Sequence, residues 1–474
     1  MPEWFILFLS ISKGISIMSQ QTSGRNAVYV FVLASVAALG GLLFGYDTAV
    51  ISGAIGYMSE YFALEAHTRG WAASSALVGC IIGACFAGVL SDWLGRKKVL
   101  VLSAVFFTAS AILSAVPQTL TQFALARILG GLGVGAASML SPLYISEVSP
   151  APIRGRLVSL NQLTIVGGML IVYFVNALIA RYGMRIGGEA WNVNYGWRWM
   201  FASETLPAAL FFLLLFVVPE SPRWLIKNNR NTCALATLTR INGELQAQAE
   251  AAEISDAIAH EDRSFLQIFK PGLRVAMLVG IALAVLQQVT GINVVLYYAP
   301  EIFKSMGSAS DIAIYETVIV GVVNVLFTIL AMWVVDRMGR KCLLLVASAG
   351  MGISLAALGM AFRLEKFEGP LVLFLVLAYV AFFAVAMGPV VWVVLAEIFP
   401  TRVRGTAMSI ATVCLWVACY AVSQTFPWLL EKIAGNSFFL YAAMCLICFV
   451  FVWCFVPVTD GKTLEEIEQY WTNK

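Results

Sequence analysis

Charge is scarce in this sequence. Asp, Glu, Lys and Arg make up 12% of its 474 residues, about half the share usual in a soluble domain. With 60% hydrophobic residues and a mean hydropathy of +0.85, that scarcity excludes a water-soluble globular fold and places the chain in a membrane. Histidine is scarcer still: His67 and His260 are the only two, and both lie outside the apolar runs. Haem ligation, histidine-bound zinc and most hydrolytic machinery are therefore not expected, nor is any cofactor or metal. The net charge is +3 and no basic block occurs, so nothing points to nucleic acid. Of the nine cysteines, Cys445 and Cys448 form a CxxC. It sits inside a hydrophobic run with no second pair, which reads as packing. No nucleophile–base grouping appears, so an enzyme is not expected.

What the sequence has in abundance is long apolar runs. About 20 mostly apolar residues cross a bilayer as a helix, and twelve such runs can be read, from 27–55 to 436–457. Six precede and six follow one long polar segment, residues 219–272, whose short amphipathic stretches read as soluble helices on the membrane surface. The expected fold is all-α and integral to the membrane. Its expected parts are an N-terminal tail at 1–25, a six-helix half at 26–218, a linker at 219–272, a second six-helix half at 273–457 and a tail at 458–474. The opening "MPEWFILFLSISKGISIM" has Glu3, no positive charge and too short an apolar piece for a signal peptide. It is expected to be dispensable, with Met18 an alternative start.

The short loops give orientation. "DWLGRKK" (92–98), "EVSPAPIRGR" (147–156), "DRMGRK" (336–341) and "EIFPTRVRG" (397–405) carry ten Lys and Arg, against four in the opposite loops 56–69, 301–311, 364–369 and 431–435. The positive-inside rule puts the basic set, the linker and both termini in the cytoplasm of a cell whose plasma (inner) membrane the chain spans. These loops also repeat. Asp92 and Arg96 recur 244 residues on as Asp336 and Arg340, and Glu147 and Arg154 recur 250 on as Glu397 and Arg404. Two motifs at nearly one offset indicate duplicated halves, an architecture of transporters with the site between the repeats. Interfacial anchoring explains isolated charges. Repetition in one order favours salt bridges between helix ends, which hold one conformation and release in another.

The motifs "GRK" after the second and eighth helices, "PESPRWL" (219–225) and "QQVTGINVVLYYAP" (287–300) resemble those of the sugar porters of the major facilitator superfamily. "LLFGYDTAVISGA", "SPLYISEVSPAPIRGRLVSLNQ", "GWRWMFASE" and "GPVVWVVLAEIFP" are most similar to those of its bacterial D-xylose–proton symporters. The likeness covers all twelve helices. It implies the major facilitator fold, alternating access and a sugar held between the halves.

Sugar hydroxyls call for amides and an aromatic face in an uncharged site. Gln287, Gln288 and Asn293 supply amides in the seventh helix, followed by Tyr297; Gln162, Asn324 and Trp392 supply the rest. By resemblance these positions match the family's sugar contacts, and Phe44 matches an aromatic wall residue. On an ideal helix Gln288 and Asn293 point about 140° apart, but Gly291 permits a break, as is common where a transporter helix lines a cavity. Membrane amides also serve as glue between helices; for Asn324 alone that reading is as good. The sequence departs from the family at Leu415 and Cys419, where polar residues are usual. Met169 and Met387 stand where the D-xylose carriers have glutamine and tryptophan. Gln424 lies half a turn round the helix from Leu415 and does not replace it.

Asp47 lies 18 residues, about 27 Å, along its helix from Tyr29. It is too deep to snorkel and needs a partner or a proton. Arg127 is the one arginine inside a helix of the first half, and Glu204 is a second carboxylate at membrane depth. A buried carboxylate keeps a proton that one facing an arginine gives up, so conformations that alter the pairing alter proton affinity. A permanent structural pair is the plainer alternative. Proton-coupled members of the family resemble this chain in having Asp here, where facilitative members have Asn. The expected function is proton–sugar symport of a pentose or hexose. The alternatives are a facilitative sugar uniporter and a proton–polyol (myo-inositol) symporter. The expected partners are a small sugar, a proton and the bilayer, with the chain working as a monomer.

Overall fold

In lipid every backbone N–H and C=O must find a backbone partner, so only helices and closed barrels span it, and unbroken apolar runs of about 20 residues fit helices. A computed structural model describes residues 24–150, 153–259, 273–305, 307–364, 371–399, 404–459 and 471. The expected tails, and the side chains of Asp336 and Arg404, lie almost wholly or wholly outside the described set. Among the described residues there is no strand, and twelve helical spans are long and apolar enough to cross a membrane. They are α1 (Asn26–Tyr61), α2 (Ala66–Leu94), α3 (Arg96–Ala115), α4 (Leu120–Val148), α5 (Arg154–Ile186) and α6 (Gly188–Leu215), then α7 (Leu273–Ser305), α8 (Ile312–Val335), α9 (Arg340–Arg363), α10 (Leu371–Ile398), α11 (Gly405–Ile433) and α12 (Asn436–Phe455). Between the sets lie three short helices, Pro222–Lys227, Asn231–Asn242 and Glu244–Ala259.

Several spans outrun their apolar stretches. α6 begins at Gly188, ahead of its apolar stretch. Its first turns, "GEAWNVNYGW", are polar enough to hide the helix, yet a π-turn at Asn192–Gly196 carries the chain on, with Asn192 Nδ2 donating to Ala180 O at 3.0 Å and Trp197 Nε1 to Val193 O at 2.9 Å. Two interruptions shape the interior. α7 stops at Val289 and resumes at Ile292 across Gly291, whose φ of +96° suits only glycine. α10 passes through a π-turn at Phe383–Met387 before restarting at Pro389, which lacks the N–H an unbroken helix requires.

Glycines let backbones of the first half touch. A Cβ at Gly131 of α4 would stand 1.9 Å from Ala76 O of α2, and one at Gly79 of α2 would stand 2.0 Å from Ile128 O of α4. Between α1 and α5 the same holds at Gly45, 1.9 Å from Ile165 O, and Gly168, 2.1 Å from Leu42 O. Without a hydrophobic drive between helices in lipid, such close contact is the main source of association. It makes the first half a rigid block. Gly131→Val should therefore lower the unfolding temperature in detergent sharply, since the blocking atom is backbone and overpacking costs about 1–3 kcal/mol or more. Gly167→Ala, with open space around it, should leave the temperature unchanged or raise it by the roughly 1 kcal/mol of helix propensity. Equal shifts in the two variants would refute the packing account.

Candidate functional site

Three polar groups, two in the apolar interior and one at a membrane edge, sit where two or more spans meet. The first is in the N-terminal half. Asp47, Arg127 and Glu204, on α1, α4 and α6, are at most 2% exposed. Arg127 grips Asp47 twice over: Nη1 donates to Oδ1 at 2.6 Å, and Nη2 to Oδ2 at 3.3 Å and to the backbone carbonyl of Asp47 at 2.7 Å. The guanidinium lies over the Phe201 ring at 5.2 Å. Glu204 turns its carboxylate towards Asp47, and Tyr46 bonds Ser203 Oγ beside it at 2.8 Å. Asp47 holds the guanidinium, while both oxygens of the nearby Glu204 are buried without a hydrogen-bond partner. With Arg127 charged, the group is neutral only when it holds one proton, and a net charge this deep is costly.

The second group is in the C-terminal half at the break of α7. Gln287 Nε2 donates to Met387 O at 2.5 Å and Gly388 O at 3.3 Å, tying α7 to the π-turn of α10. Gln288 Nε2 donates to Gln287 Oε1 at 3.2 Å, and Asn293 Nδ2 donates to Gln288 Oε1 and to Cys419 Sγ, the latter at 3.1 Å. The break at Gly291 thus brings together two amides that an unbroken helix would point apart. Tyr297 is buried against Cys419 on the same side. Asn324 of α8 contacts Met169 Sδ of α5 at 3.9 Å, so it faces the other half. Phe44 of α1 meets Trp416 of α11 with ring centroids 5.5 Å apart. Trp416 was not foreseen. Its ring is buried and its indole N–H has no partner, leaving a free donor at the junction of the halves. Gln162 and Trp392 are half-buried on α5 and α10, and no bond ties either to the amide cluster.

The third group lies at the basic-loop end. Arg96 donates from Nε to Glu147 Oε2 at 3.1 Å, from Nη2 to Glu147 Oε1 at 3.2 Å and from Nη1 to Asp92 Oδ1 at 3.0 Å. Arg340 pairs with Glu397 at 3.3 Å in the same relation, the first residue of α9 with the end of α10. The duplication thus appears as contacts. Arg154 takes another role than the spacing implied: its Nε donates to Ser149 O at 3.3 Å, while Glu147 accepts from Arg96 and from Ser221 Oγ. Asp92 also receives Lys227 Nζ at 2.8 Å, and Trp224 Nε1 donates to Asp92 O at 2.9 Å, so "PESPRWL" clamps the linker to the first half. Burial pushes the Glu220 carboxyl up, against the pull of the Lys97 and Ser221 N–H groups it accepts from.

At the opposite end the halves are bonded to each other. Ser74 Oγ donates to Gln424 Oε1 at 2.7 Å, Gln424 Nε2 to His67 O at 3.1 Å, and Tyr173 OH to Leu296 O at 2.9 Å. Arg69 approaches Glu301 at 4.0 Å. The structure is closed on this side.

This arrangement is two blocks, with a charged group in one and an amide cluster facing the seam in the other. The sequence profile of the Sugar (and other) transporter family matches residues 33–471. The chain belongs to that family. The family match spans both polar groups and the linker. The chain is 43% identical over 452 residues to the arabinose-proton symporter of Bacillus subtilis (strain 168), covering 95% of this chain and 97% of that one. It is 43% identical over 479 residues to the D-xylose-proton symporter of Escherichia coli (strain K12), covering 94% and 96%. The inward open structure of the E. coli xylose transporter XylE superposes with a TM-score of 0.82 at 42% identity, covering 94% of this chain and all of that one. The chain therefore has the twelve-helix, two-half fold of the family and is a multi-pass membrane protein.

The basic-end network makes a checkable distinction. Arg96→Ala strands the Glu147 carboxylate, 6% exposed, and should cost about 3 kcal/mol or more. Arg154→Ala loses a single bond to a backbone carbonyl and should cost about 1 kcal/mol. Thermal unfolding in detergent reads both; a milder loss for Arg96 than for Arg154 would mean that Glu147 is held by something else.

Proposed function

We propose that this protein is a proton-coupled symporter of a pentose or hexose, working by alternating access in the inner membrane with the basic loops, the linker and both termini in the cytoplasm. The observation that carries it is the buried group of Asp47, Arg127 and Glu204, whose neutrality requires a proton. A uniporter has no use for it. The symporters named above supply the class of substrate: one carries arabinose and the other D-xylose, each with a proton. A proton on Asp47 weakens its hold on Arg127, and loss of that proton restores it. The proton and the sugar bind in different halves, so each can bias the same rocking of one half against the other.

The sugar would lie in the seam, with Gln287, Gln288 and Asn293 as hydroxyl partners and Phe44 and Trp416 as its aromatic wall. Tyr297, Asn324, Gln162 and Trp392 surround that space. Leu415, Cys419, Met169 and Met387 make this site less polar than the D-xylose template, so sugar preference is set there. Gating falls to the Arg96–Glu147 and Arg340–Glu397 pairs, with Asp92. Asp336 and Arg404 complete the repeated motif, and Arg154 steadies the turn before α5.

Asp47→Asn should uncouple the protein without unmaking the site. In proteoliposomes with an imposed pH gradient, uphill sugar uptake should be lost. Counterflow exchange and calorimetric affinity should persist, because the amide is nearly the same shape. Undiminished uphill uptake would end the proton-carrier reading. In the same preparation Gln288→Ala, Asn293→Ala and Trp416→Phe should each weaken sugar binding by at least about 1 kcal/mol, the cost of a hydrogen bond lost in a desolvated site. Unchanged affinity in all three would place the sugar elsewhere.

A further inference from the structure

Resting on the reading of Asp47 as proton carrier, the structure suggests how the proton arrives. Serine and threonine inside membrane helices ordinarily donate back to a carbonyl three or four residues earlier, which hides the hydroxyl. α3 does this at Ser103, donating to Val99 O at 3.0 Å, and at Thr108, donating to Ala104 O at 2.8 Å. Ser110 and Ser114, on the same helix, do not: both hydroxyls are fully buried and have no partner. They lie one turn apart on one face, about 6 Å along the axis. The inner one faces the charged group. A Cβ placed on Gly130 would stand 2.4 Å from Ser110 Oγ and 3.1 Å from Asp47 Oδ1, so hydroxyl and carboxylate border the same small gap.

The outer one comes one residue before Ala115, which lines a cavity. About 340 Å³ of space opens beside the last residues of α3, lined by Tyr61, Ala115, Val116, Gln118, Asn194 and Arg198. Arg198 is part of the lining, donating from Nη1 to Ala115 O at 3.1 Å and lying over the rings of Tyr61 at 5.0 Å and Trp197 at 4.3 Å. It therefore joins α1, α3 and α6 at the outer end. The cavity is in the N-terminal half alone, apart from the seam in which the sugar would lie. The groups that face Asp47 along this path are Arg127 of α4, Glu204 of α6 and Cys80 of α2, with Tyr46 on its own helix held by Ser203.

We propose that Ser114 and Ser110 form a proton path, bridged by water, from the outer cavity to Asp47. The proton would reach its carrier through the N-terminal half and not through the sugar seam. In each step a hydroxyl accepts a proton from the water on its outer side and passes its own inward, so charge moves and no bond is left changed. Ser110 and Ser114 are relay residues; neither touches the sugar.

A pair of shape-matched variants isolates the hydroxyl. Ser110→Thr keeps it and Ser110→Val removes it with nearly the same volume. In full-length protein reconstituted into liposomes, pH-gradient-driven uptake should fall about tenfold in Ser110→Val relative to Ser110→Thr, with sugar counterflow equal in the two. Equal driven uptake with intact counterflow would overturn the path. If the added methyl groups abolish counterflow in both, the Ser114→Thr and Ser114→Val pair, one residue before the cavity lining, decides by the same ratio. Asp47→Asn in parallel separates the two ideas. Loss of driven uptake in Asp47→Asn with equal uptake in the serine pairs would reject the path alone. Retention of driven uptake in Asp47→Asn would reject the carrier and the path with it.

Discussion

A charge inside a bilayer has to be cancelled where it stands, and the pairing of Arg127 with Asp47 meets that requirement while setting conditions on everything around it. Three donor contacts, two to the carboxylate and one to the backbone carbonyl, fix the guanidinium to one turn of α1. Bulk water, as opposed to a single bridging molecule, must be kept from the pair, or its strength falls towards that of an exposed bridge. The close backbone contacts at Gly45 and Gly168 hold α1 to α5, and those at Gly79 and Gly131 hold α2 to α4. A loose first half would hydrate the pair, and proton affinity would then no longer depend on conformation.

The two halves use one scaffold for different chemistry. Each joins the first residue of its third helix to a glutamate at the end of its fourth, as Arg96–Glu147 and as Arg340–Glu397. In the interior the likeness ends. The first half holds the charged group, the second an amide cluster on a broken helix. Separating the roles has a physical merit, since a carboxylate with an arginine would bind too firmly to a neutral polyol that must be released on the other side. Bonds across the seam are of the opposite kind to those within the first half: neutral hydrogen bonds through Gln424 and Tyr173, and a 4.0 Å contact between Arg69 and Glu301. Each is worth about 1 kcal/mol, so ligands with modest differences in affinity can open and close the seam.

Much of the fold was legible because a bilayer leaves few choices: apolar runs had to be helices, and loop charge gave their order and repeat. Asp47, Arg127 and Glu204 stood out because carboxylates and arginines are so rare at that depth. Gly291 showed where α7 breaks, and the break explains how Gln288 and Asn293 meet. The start of α6 was hidden, because its first turns are polar and a π-turn has no periodicity to read. Arg96 rather than Arg154 as the partner of Glu147 was hidden too, because spacing along one chain says little about which helix end lies opposite. Gln424, set aside because it faces away from Leu415, proves to hold the halves together through Ser74 and His67. Trp416 carried no signal apart from its apolar helix; only the packing of Phe44 against it reveals a donor with nothing to bind.

The same packing shows how the two sites can speak to each other. Phe44 and Asp47 are three residues apart on α1 and so occupy neighbouring faces of one helix. One faces Trp416 in the other half, the other faces Arg127 within its own. Because Arg127 also holds the backbone carbonyl of Asp47, its grip acts on the helix and not on a side chain alone. Thr48 Oγ1 donating to Phe44 O at 2.8 Å stiffens that turn. On the proposed cycle, weakening the Asp47–Arg127 bonds frees this turn of α1 to shift, and the Phe44 ring moves with it against the Trp416 side of the seam. A sugar packed on that wall favours one position of the ring. Linkage then requires that the same sugar favour one protonation state of Asp47, although the two sites share no bond.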